Sequence, residues 1–538
     1  MPTLQWVGKD KVVNHHLDVP FRVLNKVSSF RAPEGTPANS TDNRIIHGDN
    51  LEALKSLLPE FEGKVKCIYI DPPYNTGNEG WVYNDAVNDP KMKRWLGQVV
   101  GKEGEDLSRH DKWLCMMYPR LKLLHRLLAA DGAIFVSIDD IEHAHLRLIC
   151  DEIFGAQNLL ANFVWQSKDT PGNNSVGVAE THNHVVAYRK SAGFSPNLQD
   201  RNQAQIDTYI NQDDDSRGPW LGSTLTRAEH RDRDYYPIRN PAGVDVLPPP
   251  GSSWRRPPSE MKRLAAEDRI WWGKDGRAAF PKEKKFLSEV KSGVVNQTWW
   301  PYSFAGSTRN ASAELKAIFD GRKPFETPKP VRLIEQILLL ASDQNSLILD
   351  SFAGSGTTAH AVLKANGQDA GKRRFILVET EDYAETITAE RVRRAMSGYG
   401  DASKATDGLG GGFDYYTVGE PMFLPDENLN EAVGAEAIRA YVAYSEGIPT
   451  DDQTTAENPH SPYLLGLNRE TAWIFHYESD RATSLDMDFL AGLRFGGSTG
   501  AGKPGTVIIY ADRCLLSVAF MAKHGIIFKK IPRDITRF

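Results

Sequence analysis

Residues 347–362 read "LILDSFAGSGTTAHAV" and contain the pattern that decides the fold. The apolar residues 347–349 predict a buried strand, and residues 357–365 predict a helix. Between them, residues 354–359 match G-x-G-x-x-G/A, a turn that lets a nucleotide-like ligand approach the backbone. The turn lacks the G-K-[ST] sequence of a P-loop. We therefore expect an adenosine-type cofactor at this turn.

An acidic residue follows the next predicted strand, 375–378. This residue, Glu379, comes 23 positions after Gly356, a spacing that suits a carboxylate bound to ribose hydroxyls. The plainer interpretation is a tight turn between strand and helix with a surface glutamate. NAD and S-adenosylmethionine both remain candidates, because the glycine turn alone does not distinguish them.

Strands alternate with helices on both sides of this segment. The predicted strands are 44–47, 65–70, 133–138, 162–166, 183–190, 347–349 and 375–378, and the predicted helices are 50–58, 113–129, 141–153, 328–342 and 357–365. We expect Asp131 and Gly132 to end the helix at 113–129, and Pro330 to lie in the first turn of the helix at 328–342. Such alternation predicts a parallel α/β sheet with helices on both faces.

A chain of 538 residues is too long for one hydrophobic core, so two to four domains are expected. Residues 191–325 lose the alternation and are rich in Pro, Gly, Asp and Arg, which predicts a loop-rich insertion. The domain prediction is an N-terminal arm and linker at 1–40, a first sheet segment at 41–190, the insertion at 191–325, a second sheet segment at 326–400 and, beyond a glycine-rich linker at 408–413, a mixed α/β domain at 414–538.

The composition is that of an ordinary globular protein, with 40% apolar residues and a net charge of −6. Four scattered cysteines without a CxxC pair predict neither a metal site nor disulfides, and a reducing cytoplasm fits. The sequence predicts no membrane span and no signal peptide. Residues 251–300 hold 11 Lys and Arg against 6 Asp and Glu, whereas residues 401–490 hold 4 against 17. The basic segment is either a solvated surface or a contact for nucleic-acid phosphates.

A second motif, "CIYIDPPYNTGNEG", occupies residues 67–80. Its strand ends at Asp71, which places a carboxylate at the edge of the sheet where α/β proteins bind ligands. Pro72 and Pro73 fix the corner, and we expect both of their carbonyl groups to be free to accept hydrogen bonds. Tyr74 offers an aromatic face. Two acceptors beside a ring suit a planar substrate with an exocyclic amine, although a rigid structural turn is the simpler alternative.

These residues resemble the amino-methyltransferases of DNA. "DPPYNTG" (71–77) precedes "FAGSG" (352–356), an order similar to that of the permuted β-class. More specifically, the chain resembles the modification (Mod) subunits of Type III restriction–modification systems and their stand-alone relatives. The supporting stretches are "HGDNLEAL" (47–54), "GAIFVSIDD" (132–140), "WWGKDGR" (271–277), "FLSEVKSGVVNQTWW" (286–300) and "FETPKPVRLIEQIL" (325–338). The resemblance covers roughly residues 1–400.

The resemblance implies a permuted Rossmann-like sheet of an S-adenosylmethionine-dependent methyltransferase, with an inserted target-recognition domain and a C-terminal α/β domain. It implies transfer of a methyl group to the N6 amine of an adenine flipped out of duplex DNA. The implied catalytic residues are Asp71, Pro72, Pro73 and Tyr74. The implied cofactor-binding residues are Asp49, Asp71, Lys329, Asp350, Phe352, Gly354, Ser355, Gly356, Thr357 and Glu379. The DNA-binding candidates in the insertion are Arg255, Arg256, Lys262, Arg263, Lys284 and Lys285.

Other functions stay open at this point. Asp before Pro-Pro-Tyr favours adenine over the N4 of cytosine, but cytosine or RNA remains an alternative substrate. A DNA-reading specificity subunit of a restriction complex is a second alternative, and a nicotinamide dehydrogenase is opposed by the DPPY motif. The expected partners are double-stranded DNA, a second copy in a homodimer and a restriction or helicase subunit. The acidic segment 414–538 favours dimerisation or partner docking over DNA contact.

Overall fold

The computed structural model describes residues 3–76, 109–171, 177–278, 280–400, 405–454, 462–495, 504–532 and 535. Gly77 of the DPPYNTG motif lies outside these residues. The chain divides into two compact units, one formed by Met1–Asn197 with Gln297–Phe538 and the other by Leu198–Asn296. The second unit lies within the segment predicted as an insertion. In the part of the chain described, no helix is long and apolar enough to cross a membrane.

A ten-stranded sheet forms the centre of the first unit. Its strands are β1 (Arg22–Arg31), β2 (Arg44–His47), β3 (Val65–Ile70), β4 (Leu128–Ile138), β5 (Leu159–Trp165), β6 (Asn183–Arg189), β7 (Trp299–Trp300), β8 (Leu347–Asp350), β9 (Arg374–Glu379) and β10 (Gly412–Pro421). Their order across the sheet is β1-β10-β2-β9-β8-β3-β4-β6-β5-β7. The six strands from β10 to β4 are parallel, while β1 and β6 run antiparallel to their neighbours. This sheet confirms the predicted α/β class.

Helices cover both faces of the sheet. One hydrophobic core holds α1 (Asn50–Phe61), α2 (Arg109–Leu127) and α3 (Asp140–Cys150), and the other holds α5 (Val331–Ala341), α6 (Thr357–Asp369) and α7 (Glu390–Ser397). Helix α4 (Thr308–Ile318) packs in a smaller cluster. Along β3, Ile68 and Ile70 face the first core, and Cys67 and Tyr69 face the second. A strand buried on both faces explains the uninterrupted apolar run in its sequence.

Two local predictions differ from the structure. Helix α2 ends at Leu127, and β4 begins at Leu128, so Asp131 and Gly132 lie inside a strand rather than after a helix. Gly132 is required there because a Cβ would lie 2.9 Å from the carbonyl oxygens of Val65 and Lys66. The helix predicted at 328–342 follows Pro330 directly, as Pro330 occupies its N-cap position.

The boundaries of the segments also differ from those drawn on the sequence. Residues 299–325 belong to the first unit and include β7, α4 and the short helix Tyr302–Ala305. Strand β10 begins inside the predicted glycine-rich linker and pairs with β1 and β2 in the central sheet. The polypeptide that we expected to start a separate domain at residue 414 therefore begins as part of the main sheet.

The second unit is built from short strands around a small core. Trp220–Thr224, Lys282–Phe286 and Ile270–Trp271 form a three-stranded sheet next to the helix Pro258–Ala266. Two-stranded pairs join Gln199–Asp200 with Gly293–Val294, Thr226–Arg227 with Ser253–Trp254, and Ile238–Arg239 with Asp245–Val246. The core consists of Leu225, Trp254, Met261, Leu264, Ile270 and Trp272. The irregular texture of this sequence is thus that of a small domain with short strands.

Beyond β10, the chain forms a second α/β layer. Its four-stranded sheet contains Leu464–Leu467, Thr471–Phe475, Thr506–Ala511 and Ile526–Lys530, of which the last three are parallel. The helices of this layer are Ala435–Ser445, Met487–Gly492 and Val518–His524. Two hydrophobic clusters form its core.

Candidate active site

The DPPY and FAGSG motifs meet because β3 and β8 are neighbours in the sheet. Ile348 pairs with Cys67 and Leu349 with Ile68, and the two strands are parallel. Their carboxyl ends therefore share one edge, which places Asp71 and Asp350 on the wall of one cavity of about 130 Å³. The chain continues from β3 towards β4 and from β8 towards β9, in opposite directions across the sheet. Ligands bind at such a switch point in open α/β sheets.

Most of the predicted site residues line this cavity. They are Asp71, Pro72, Tyr74, Lys329, Asp350, Phe352, Gly354, Ser355 and Thr357. Asn183, Thr308, Phe325 and Pro328 contribute further wall that the sequence did not single out. Asp49, Gly356 and Glu379, which were predicted to bind cofactor, do not line it.

The proline corner is held by a tryptophan from helix α2. Trp113 Nε1 donates a hydrogen bond of 2.7 Å to the Pro73 carbonyl oxygen, so that carbonyl is not free, contrary to our expectation. The Pro72 carbonyl receives no hydrogen bond from the described residues. Asn75, which follows Tyr74, adopts a left-handed φ of 64° that asparagine tolerates better than most residues. The corner therefore presents one free carbonyl from a fixed backbone.

Two polar atoms at the cavity wall lack partners. Lys329 Nζ forms an ion pair with Asp71 Oδ2 and lies 5.0 Å from the centroid of the Tyr74 ring. The Tyr74 hydroxyl lies near the Asp71 carboxylate without a hydrogen bond of ordinary geometry, and neither this hydroxyl nor Asp71 Oδ1 has a hydrogen-bond partner among the described residues. Buried polar groups without partners are costly, which makes these atoms candidates for contacts with a ligand.

The Tyr74 side chain remains neutral in this setting. Burial, followed by the negative charge of Asp71, raises the pKa of the Tyr74 hydroxyl well above its usual value. The ring is only half-buried, while its hydroxyl is inaccessible to solvent. Tyr74 therefore offers an aromatic face to the cavity without charge on the phenol.

The glycine turn is shaped by two residues with positive φ. Gly354 has φ 51° and Gly356 has φ 79°, and a Cβ on Gly356 would lie 3.0 Å from the Thr388 carbonyl oxygen. The fully buried Arg391 donates hydrogen bonds of 2.8 Å to Ser355 Oγ and 2.7 Å to Thr357 Oγ1. Arg391 thus supports the turn from below, a role that nothing in the sequence indicated.

The pKa values of two buried carboxyl groups next to the glycine turn are raised. Burial raises the pKa of Asp350 to about 7, although Asp350 accepts hydrogen bonds from Thr358 Oγ1 at 2.6 Å and from the Phe352 amide at 3.0 Å. Burial also raises the pKa of Glu379 to about 7. Burial destabilises the charged form of each carboxyl group, and the hydrogen bonds that the group accepts offset part of this destabilisation.

Glu379 serves first to hold the glycine turn. Its Oε2 accepts a hydrogen bond of 2.7 Å from the Gly354 amide, and its Oε1 accepts one of 3.0 Å from the Glu381 amide. Gly48 and Asp49 follow the adjacent strand β2. The Gly48 amide donates a hydrogen bond to the Glu379 carbonyl oxygen. Asp49 caps helix α1 by accepting hydrogen bonds from the Leu51 and Glu52 amides. Asp49 and Glu379 therefore lie at neighbouring strand ends, beside the cavity rather than on its wall.

The six basic residues predicted to contact DNA fall into two groups within the second unit. Lys284 is buried and pairs with Asp213, Asp215 and Asp268, so its ammonium is not available to phosphates. The prediction for Lys284 is therefore wrong, and the cause is the three carboxylates that enclose it. The other five reach solvent to different extents: Arg255, Lys262 and Arg263 are exposed, Arg256 is half-buried against Glu260 and Glu283, and Lys285 is half-buried and pairs with Glu283.

Several known proteins are similar to this chain in sequence. The chain is 33% identical over 357 residues to the Type III restriction-modification enzyme StyLTI Mod subunit of Salmonella typhimurium, a match that covers 63% of this chain and 52% of that protein. It is 32% identical over 427 residues to the EcoPI Mod subunit of Escherichia phage P1, covering 71% and 64%. It is 32% identical over 360 residues to the Type II methyltransferase M.KpnI of Klebsiella pneumoniae, covering 64% and 82%. The chain thus spans about half to two thirds of the length of these Mod subunits.

Solved structures give more distant matches. The PvuII DNA methyltransferase (cytosine-N4-specific) is 13% identical with a TM-score of 0.35, covering 66% of this chain and 89% of that one. The M1.HpyAVI–SAM complex is 12% identical with a TM-score of 0.29, covering 65% and 98%. The family model described as DNA methylase matches residues 65–390, which is more than half of the chain and includes both motifs. The resemblance predicted from the two motifs is confirmed, and the chain belongs to the DNA methylase family.

Proposed function

We propose that the protein transfers a methyl group from S-adenosylmethionine to the N6 amine of an adenine flipped out of duplex DNA, in a restriction–modification or epigenetic system. The observation that carries the proposal is the arrangement of two unsatisfied acceptors, Asp71 Oδ1 and the Pro72 carbonyl, beside the Tyr74 ring. The glycine turn opens on the same cavity. The names of the relatives, Mod subunits and a Type II methyltransferase, support a methyltransferase acting on DNA.

The residues around the turn fit the cofactor. Left-handed glycines at 354 and 356 let the backbone approach a ligand closely, and Phe352 lines the same wall. Lys329 would lie near the methionine end. Asp49 and Glu379 are proposed contacts for the adenine and ribose; Glu379 would use oxygen lone pairs that its two backbone hydrogen bonds leave free. S-adenosylmethionine, when bound, supplies a methyl group on a positively charged sulfonium.

The residues of the corner prepare the amine of the base. An exocyclic amine is a poor nucleophile because its lone pair is delocalised into the ring. Asp71 Oδ1 and the Pro72 carbonyl would each accept one N–H bond, which favours a tetrahedral nitrogen and localises its lone pair. Tyr74 would stack on the base and fix its plane. Lys329 holds Asp71 Oδ2 and so keeps the carboxylate oriented. The contribution of the protein is positioning and electrostatics.

The DNA must open for this chemistry, because a paired base cannot present its amine to Asp71; flipping costs a few kcal/mol. We assign recognition of the target sequence to the second unit, within the predicted segment 191–325. Its exposed residues Arg255, Lys262 and Arg263, together with the half-buried Lys285, would mainly contact phosphates and so set affinity and register. Arg256 is a weaker candidate, since Glu260 and Glu283 already hold its guanidinium.

Partner binding is assigned to the acidic C-terminal segment. Residues 401–490 hold 17 acidic against 4 basic side chains, a charge that repels phosphates and suits contact with protein. We propose that residues 414–538, in the part that follows β10, mediate a homodimer or dock a restriction subunit. The Mod names of the relatives support association with a restriction subunit.

The decisive experiment is methylation-sensitive long-read sequencing of DNA from cells that express the protein. We expect N6-methyladenine in one fixed sequence motif and its loss in the Asp71→Ala variant. Asp131→Ala is the matched control, because Asp131 is an exposed carboxylate that pairs with Lys66 away from the cavity. Methylcytosine alone would favour the cytosine-N4 alternative. Absence of any mark, or a mark that survives in Asp71→Ala, would reject the proposal.

A further inference from the structure

A cluster of two histidines and a glutamate lies beside the DPPY corner. Glu142 and His145 are three residues apart on α3 and so share one face of the helix, and His110 lies in the first turn of α2. His110 Nδ1 is 2.7 Å from Glu142 Oε1, and His145 Nδ1 is 2.8 Å from Glu142 Oε2. The two imidazole centroids are 4.9 Å apart. Three nitrogen and oxygen donors thus converge from two helices.

The carboxyl group of the cluster is buried, whereas its two histidines reach solvent. The Glu142 side chain is completely buried, whereas those of His110 and His145 are 40% and 30% exposed. Among the described residues, no lysine or arginine forms an ion pair with Glu142, and its only charged or chargeable partners are the two histidines. A buried carboxylate needs compensating positive charge. The exposed histidine edges leave a path for a cation from solvent.

We propose that His110, Glu142 and His145 bind a divalent transition-metal ion of the zinc type, with water at the remaining position. Two imidazoles and one carboxylate form a donor set that such ions prefer, while magnesium and calcium prefer oxygen ligands alone. Glu142-x-x-His145 matches the helical Glu-x-x-His spacing of metal-binding bundles. Ligand atoms in a tetrahedral zinc site lie roughly 3.3 Å apart. The three ligand atoms lie within 4.8 Å of one another, so small side-chain rotations would admit the ion.

A second cluster nearby fits an ion less well. Asp140, His182 and His184 also place one ligand atom each within 4.8 Å of the others. However, only His184 Nε2 is within hydrogen-bond distance of Asp140, at 2.7 Å, whereas His182 Nε2 is 3.9 Å away, and the Asp140 side chain is half exposed. This cluster lacks the buried carboxylate that binds both histidines in the first one. It therefore provides an internal control.

The ion would stabilise the proposed catalytic corner through Asn75. Asn75 Nδ2 donates hydrogen bonds to Glu142 Oε1 and, at 3.2 Å, to the Arg109 carbonyl oxygen. Asn75 is completely buried, has left-handed backbone geometry and follows Tyr74 directly. A metal bound to Glu142 would fix the partner of Asn75 and thereby the turn that carries Tyr74. This consequence rests on the proposed function, whereas the binding of the ion does not.

Metal binding can be measured on the untagged full-length protein without DNA or cofactor. After removal of metals with a chelator, the protein is titrated with Co²⁺, whose visible absorption reports nitrogen and oxygen ligation, and then with Zn²⁺ as a competitor. We expect one Co²⁺ per chain, displaced by Zn²⁺, and a higher melting temperature for the zinc-bound protein. His110→Gln and His145→Gln should each weaken binding at least tenfold, and His182→Gln and the exposed His230→Gln should not.

Three results would overturn the proposal. The first is the absence of Co²⁺ or Zn²⁺ binding at one ion per chain, which would make the cluster a hydrogen-bonded carboxylate only. The second is binding that persists unchanged in both His110→Gln and His145→Gln. The third is binding lost only in His182→Gln, which would move the site to the other cluster. Because methyl transfer is not measured, failure of the proposed function would leave these outcomes unaffected.

Discussion

Replacing Lys284 with methionine tests whether this lysine is structural rather than a DNA contact. Lys284→Met keeps most of the aliphatic volume and removes an ammonium that pairs with Asp213 at 2.6 Å and with Asp215 and Asp268 at 3.1 Å. Removing one partner of a buried ion pair costs about 3–5 kcal/mol. Asp268 is largely exposed and can turn to water, and Arg217 still pairs with Asp215. We therefore expect a loss at the low end of that range, about 3 kcal/mol.

Hydrogen exchange on the full-length protein measures this loss locally. Amides of the strands Lys282–Phe286 and Trp220–Thr224 should exchange about 150-fold faster in Lys284→Met, which corresponds to about 3 kcal/mol of opening free energy. Lys285→Met is the matched control, because the Lys285 side chain is 40% exposed and, among the described residues, forms an ion pair with Glu283 alone. Glu283 is buried but keeps Arg256 as a partner, so the loss of the half-exposed Lys285 should cost less than about 1 kcal/mol, or roughly fivefold in exchange.

DNA binding provides the complementary measurement. Each phosphate contact that is removed lowers the slope of log affinity against log salt by about one. Exposed Lys262, changed to alanine, should lower the slope without changing exchange. Lys284→Met, measured under conditions where the protein is folded, should change exchange without lowering the slope. Equal exchange in Lys284→Met and Lys285→Met, or a reduced slope in Lys284→Met, would refute the structural role.

Three further predictions concern the cavity and the glycine turn beside it. Tyr74→Ala should lower kcat far more than it weakens S-adenosylmethionine binding measured by calorimetry, because Tyr74 is proposed to stack on the base; equal losses would contradict that role. Gly356→Ala should destabilise the protein by at least about 1 kcal/mol and weaken cofactor binding, because φ of Gly356 is 79° and the new Cβ would meet the Thr388 carbonyl. Gly367 lies in helix α6 with open space around it, so the control Gly367→Ala should stabilise the protein by about 0.5–1 kcal/mol. An equal effect of the two changes on melting temperature would rule out a special backbone at Gly356. The folded pKa of Asp350 is raised from 3.8 to about 7, so its contribution to stability is complete below about pH 4 and is lost as the pH rises to about 7. The melting temperature of the wild type should therefore fall relative to that of Asp350→Asn over this interval, and a constant difference would show that Asp350 does not carry the titration.

The central strands of the sheet can be predicted from the sequence, because a parallel strand that is buried on both faces has a continuous apolar run. Residues 65–70 form a continuous apolar run, and the structure places β3 at those same residues. The strand before the glycine turn is equally plain, and proximity of the two motifs follows once both strands belong to one parallel sheet. The edge strand β1 and its neighbour β10 have no such run. Strand β1 contains Arg, Lys and Ser on its exposed positions, and β10 follows a run of glycines that is typical of a linker.

The supporting side chains of the site could not be predicted, because their partners come from distant parts of the chain. Trp113 lies in an ordinary amphipathic helix, and only the fold brings its indole to the Pro73 carbonyl. Arg391 looks like one of several surface arginines in its helix, yet it is buried under the glycine turn. Lys284 belongs to a basic stretch, and the three carboxylates around it come from two other segments. Composition gives the charge of a segment but not the burial of one residue within it.

The pairing of β3 with β8 has a consequence for the synthesis of the protein. The DPPY corner is translated more than 270 residues before β8 exists. Until then, β3 lacks its neighbour on one side. The unpaired backbone N–H and C=O groups of this apolar strand are a template for wrong pairing with other chains. A chain that stops before residue 347 would carry the corner but no site, with that edge still exposed. We therefore expect prematurely terminated chains to aggregate rather than to compete with the complete protein for DNA.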